Sequence, residues 1–79
     1  ATVFRQVAMH RFEAAVHGAG TRELIHVADG TLALTVDGAT HLVSAGGSAI
    51  ALTDRPHAYA NPGKEPLRFT MTVHEPAAE

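Results

Sequence analysis

The tightest constraint on how this chain can fold is a period of two. In LRFTMTVH, residues 67–74, Leu67, Phe69, Met71 and Val73 fall on one face while Arg68, Thr70, Thr72 and His74 fall on the other. That is the alternation of a strand with one face in a core and one in water. TLALTVDG repeats it with Leu32, Leu34 and Val36, and Asp37-Gly38 then supplies the positive φ of a tight hairpin turn, with THLV as the return strand. Turn signals recur at short intervals: Gly30, Ala45-Gly46-Gly47, Asp54-Arg55-Pro56 and Asn61-Pro62-Gly63-Lys64. The stretch RFEAAVHGAG reads as helix or as strand, and the alternation of Phe12, Ala14 and Val16 favours strand. About eight short antiparallel strands and no helix point to an all-β sandwich or barrel.

With 79 residues the chain forms one domain, 1–79, without repeat or linker. A core of that size buries only about 60% of the unfolded surface, so burial against a partner would help it. The absence of cysteine excludes disulfides, thiolate metal sites and cysteine nucleophiles. Six basic against eight acidic residues, a formal charge of -2, gives no electrostatic footprint for nucleic acid or anionic membrane. No apolar run approaches the ~20 residues that cross a bilayer, and no signal-peptide pattern is present. We therefore expect a soluble, cytoplasmic protein. Because the first residue is Ala rather than Met, a processed form or a fragment of a longer protein is expected.

Two sets of spaced residues stand out from this pattern. Glu23 and Gly30 lie seven apart in ELIHVADG, and Gly46, His57 and Asn61 are spaced through GGSAIALTDRPHAYAN. On these residues the chain resembles the cupin family, small jelly-roll barrels also called double-stranded β-helices. The family's first motif, G-x5-H-x-H-x3,4-E-x6-G, falls on 17–30 with His17, Glu23 and Gly30 in register. Its second, G-x5-P-x-G-x2-H-x3-N, falls on 46–61 with Gly46, His57 and Asn61. The departures are Arg11 for the opening Gly, Ala19 for the second metal histidine, and Leu52 and Asp54 for the Pro and Gly of the second motif. The wording HGAGTRELIHVADGTLALTVDG and DRPHAYANPGKEP is similar to the cupin domains that follow a helix-turn-helix in bacterial regulators of the XRE type.

The resemblance implies a pocket inside the barrel. His17, Glu23 and His57 would be its metal ligands, suited to Fe, Mn, Ni or Zn; otherwise Glu23 and His57 pair across a polar pocket. Tyr59 shares the face of His57 and lines the same cavity, or is a core tyrosine whose hydroxyl reaches solvent. Ile25 and Ile50 belong to the apolar lining with Val27, Leu32 or Leu34, and Phe69. Asn61 reads as a turn residue. His10, His26, His41 and His74 are off register and read as surface groups. Arg22 and Arg55 are candidates for the pocket mouth.

Glu23, His57 and Tyr59 could serve acid–base chemistry, but catalysis is not indicated. The resemblance implies instead the ligand-sensing and dimerising module of a bacterial transcription regulator. It would bind a small-molecule effector, form a homodimer, and meet DNA only through a helix-turn-helix outside this sequence. The alternative is a stand-alone metal-dependent cupin enzyme of dioxygenase or isomerase type, using His17, Glu23 and His57.

Overall fold

The computed structural model describes the backbone of residues 2–7 and 11–14, and residues 18–76 in full. His10, Val16 and His17, each given a place above, lie outside the described residues. The elements are β1 (Thr2–Val7), β2 (Arg11–Ala14), β3 (Arg22–Asp29), β4 (Thr31–Val36), β5 (Ala39–Ser44), β6 (Ser48–Leu52), β7 (His57–Ala60) and β8 (Leu67–His74). They form two four-stranded sheets, β1-β8-β3-β6 and β2-β7-β4-β5, and every described pairing is antiparallel. The all-β jelly roll expected from the sequence is the fold observed. No helix of the described residues is long and apolar enough to cross a membrane.

Among the described strands, only β4 and β5 are consecutive partners within one sheet, and the other connections carry the chain from sheet to sheet. The β4–β5 hairpin closes on Asp37 (φ 52°) and Gly38 (φ 82°), with Val36 opposite Ala39. Two consecutive positive φ values match the right-handed twist of the flanking strands.

Crossing from β3 to β4 uses a bulge and a glycine. The register of β3 against β8 shifts between Val27 and Asp29. An unbroken strand would turn Asp29 to the same side as Glu23, Ile25 and Val27, into the core. The extra residue re-aims it outward, where its carboxylate meets the Arg68 guanidinium at 2.7 Å. Gly30 follows at φ 79°, and a Cβ there would stand 2.6 Å from the Pro66 carbonyl oxygen. Both the conformation and the close approach require glycine.

Alternation decides what fills the sandwich. β3 is buried at Glu23, Ile25 and Val27 and exposed at Arg22, Leu24 and His26; β8 is buried at Leu67, Phe69 and Met71. Leu32, Leu34, Val43 and Tyr59 face them from the second sheet. Each fully buried aliphatic or Phe side chain contributes about 1.5–3 kcal/mol.

Ile50, expected in the lining, is 71% exposed. The pairing of β6 with β3 sets Ile50 opposite Leu24 and Ala51 opposite Glu23. Directly opposed residues share a face, so Ala51 enters the core and Ile50 stands outside beside Leu24.

Candidate functional site

The inner face of the first sheet changes character toward the start of β3. Its rows run inward from Ile25 and Ala49 to Glu23 and Ala51, and then to Thr21 and Thr53, whose backbones are joined by the Thr53 N–H donating to Thr21 O at 3.1 Å. Glu23 is 1%, Thr21 1% and Thr53 0% exposed. From the facing sheet β7 contributes His57 and Tyr59, 5% and 3% exposed. The barrel interior thus has an apolar body and one polar end.

Tyr59 joins the two sheets at this end. Its hydroxyl donates to Glu23 Oε1, with the Met71 sulfur 3.9 Å away. The phenol ring stacks on Phe69 at 6.1 Å and 28° and meets the His57 ring edge-on at 5.7 Å and 82°. A buried carboxylate is costly without donors, and a phenol O–H to a carboxylate is among the stronger hydrogen bonds. Tyr59 and His57 share the buried face of β7, and Tyr59 supplies Glu23 with a donor that the sequence did not reveal.

His57 Nδ1 lies 2.7 Å from the Arg55 carbonyl oxygen. A carbonyl only accepts, so the proton sits on Nδ1, and in the neutral ring Nε2 is the nitrogen that carries a lone pair. Thr53 Oγ1 is buried with no hydrogen-bond partner among the described residues. Thr21 Oγ1, by contrast, donates to Gly18 O at 2.7 Å.

The departures from the cupin motifs have local explanations. Ala19, where a second histidine would stand, sits in the exposed turn 18–20. Asp54, in place of a glycine, accepts from the Gly20 N–H at 2.8 Å and so ties that turn to the end of β6. Leu52, in place of the proline, is on the outer face, opposite Arg22. Asn61 is a turn residue as expected, accepting from Gly63 N–H at 3.0 Å and donating to Glu65 O at 2.8 Å.

His26, His41 and His74 are exposed, with His26 Nδ1 2.9 Å from Ser48 Oγ. Arg22 projects from the outer face rather than the pocket mouth, because it alternates with Glu23. Arg55 reaches Asp37 at 3.5 Å and Asp54 at 3.7 Å. All four cationic side chains described, Arg22, Arg55, Lys64 and Arg68, are exposed.

Of the expected metal ligands, Glu23 and His57 are described and both point into the polar end. No group of three His, Cys, Asp or Glu that could hold an ion occurs among the described residues. Two donors fall short of the three that open metal sites use, so these residues alone do not make a metal centre.

Residues 6–73 match the model of the Cupin_2 cupin domain. The chain belongs to the cupin family. No curated protein matches it, but solved structures do. An HTH_3 family transcriptional regulator from Vibrio cholerae superposes with a TM-score of 0.89 at 25% identity, over 96% of this chain and 43% of that one. This cupin therefore spans less than half of that regulator's length. The Cupin_2 domain of an XRE family transcriptional regulator from Enterobacter cloacae gives 0.83 at 23% identity, over 98% and 99% of the two chains. A putative ethanolamine utilization protein from Salmonella typhimurium gives 0.73 at 19%, covering 91% of this chain and 54% of the other; at such identities the likeness is one of fold.

Proposed function

We propose that this cupin is the effector-binding and dimerising unit of a transcription regulator, taking a small molecule at the polar end of its barrel. The observation that carries the reading is its superposition on a cupin-sized part of the Vibrio cholerae regulator, over 96% of this chain. The geometry supports it in three ways. Glu23 and Tyr59 place a carboxylate–phenol pair in a buried setting. His57 is fixed in the same end by its Nδ1–H bond to the Arg55 carbonyl. Thr53 Oγ1 adds a buried hydroxyl. A ligand held there acts on a regulator only through a difference in affinity between two states of the assembly.

Reading the gene upstream of residue 1 tests the assignment. An in-frame helix-turn-helix is the expected result, and a stop codon followed by an independent start would remove the regulator reading.

A second reading, a metal-dependent enzyme using His17, Glu23 and His57, draws support from the His57 Nδ1–H donated to a backbone carbonyl. That hydrogen bond orients ligating imidazoles in metal sites generally. A metal bound there would act as a Lewis acid toward substrate oxygen. Metal analysis of protein purified without chelator decides it, and less than about 0.1 equivalent of transition metal sets this reading aside.

A further inference from the structure

The outer face of the first sheet is not polar throughout. Leu24 is 51%, Ile50 71% and Leu52 41% exposed, and the three are neighbours: Leu24 opposes Ile50, and Leu52 opposes Arg22 beside it. A groove of about 340 Å³ lies on this face, with Arg22, Leu24, Ile50, Thr72 and His74 in its lining. Contiguous exposed apolar side chains rimmed by polar groups are the kind of surface that protein contacts use.

β6 is also the edge of its sheet, and its sequence Ser48-Ala49-Ile50-Ala51-Leu52 has no charge, proline or bulge. Those are the devices that keep edges from pairing. Of the other edges, β1 carries Arg5 and β2 carries Arg11 and Glu13. β5 carries His41, and its outward row is Thr40, Leu42 and Ser44, with Leu42 as the one large apolar group.

We infer that the occupant of this face is a second copy of the chain, joined β6 to β6 antiparallel about a twofold axis at Ile50. The inference rests on the dimeric reading above and names its surface. The pairing is self-complementary. Ile50 opposes its own copy and the row Leu24–Ile50 continues into the partner as four apolar side chains, while Leu52 opposes Ser48. The contact is isologous and closes, as twofold dimers require. Like charges stay apart: Arg22 lies three strand spacings, about 14 Å, from the nearest histidine of the copy, beyond a Debye length of about 8 Å at physiological salt.

Sedimentation equilibrium of the wild type, Ile50→Lys and Leu42→Lys tests this, with strand circular dichroism as a folding control. The wild type is expected to be a dimer, Ile50→Lys to weaken it at least about 100-fold by setting two ammonium groups side by side, and Leu42→Lys to leave it unchanged. Because the chain has no cysteine, Ile50→Cys gives a second readout. A short bismaleimide should link it into a covalent dimer and leave Leu42→Cys monomeric. A wild-type dimer that survives Ile50→Lys, or that fails to cross-link at position 50, overturns the surface while leaving dimerisation standing. A wild type monomeric at about 100 µM overturns both.

Discussion

Replacing Tyr59 by Phe removes one oxygen and keeps the ring that packs on Phe69 and His57. Its effect therefore reports on the hydroxyl's contacts, of which the bond to Glu23 is the strongest. The carboxylate is 1% exposed, so water cannot take the place of the lost donor without opening the barrel. A hydrogen bond to a charged group contributes about 1.5–3 kcal/mol. About 2 kcal/mol is the expected loss, a large share of the roughly 4–12 kcal/mol open to a domain of this length. At about 4–8 °C per kcal/mol for small domains, the melting temperature should fall by upwards of about 8 °C. Glu23→Gln keeps an acceptor but removes the charge, and the double variant completes a cycle whose coupling should exceed about 1 kcal/mol. Urea unfolding of the four proteins measures it. Tyr59→Phe costing under about 0.5 kcal/mol, or additivity within about 0.3–0.5 kcal/mol, would refute the pairing as the organiser of the polar end.

Gly30→Ala should cost on the order of 3 kcal/mol by urea unfolding, since it adds a Cβ 2.6 Å from a backbone oxygen at positive φ. Gly46→Ala, at φ 87° with open space around its Cβ, should cost only about 1 kcal/mol; equal costs would contradict the close approach at Gly30. Phe69→Ala, at 0% exposure between the sheets, should lose about 3–5 kcal/mol. Asp54→Asn weakens the tie to the Gly20 N–H, and faster amide hydrogen exchange confined to residues 18–21 is the expected readout, with little change in global stability.

The fold was legible where alternation and turn chemistry agree. Leu67, Phe69 and Met71 on β8, the Asp37-Gly38 hairpin and the inward parity of Glu23 all follow from local pattern. Ile50 misled because β6 is apolar on both faces, and side-chain size favoured the wrong one. Only the pairing of Ala51 with Glu23 fixes the parity, and a one-residue slip exchanges the faces. Thr21 and Thr53 escaped because an inward threonine looks like a break in the apolar period. Their one signal is shared parity, Thr21 with Glu23 and Ile25, and Thr53 with Ala49 and Ala51. The Glu23–Tyr59 bond spans 36 positions and two sheets, so it becomes visible only once the jelly-roll crossings set β3 and β7 face to face.

The central claim, that the polar end binds a small molecule, is tested most directly by a thermal-shift screen. Amines, amino acids, aromatic acids and divalent metals should be tried on the wild type, Glu23→Gln and Thr53→Val. A ligand at 100 times its dissociation constant adds about 2.7 kcal/mol, which at about 4–8 °C per kcal/mol is a shift of roughly 11–22 °C. At least one compound should shift the wild type to that extent and lose most of its effect in both variants. A shift of equal size in all three proteins, or none with any compound class, would contradict binding at Glu23, Tyr59, His57 and Thr53.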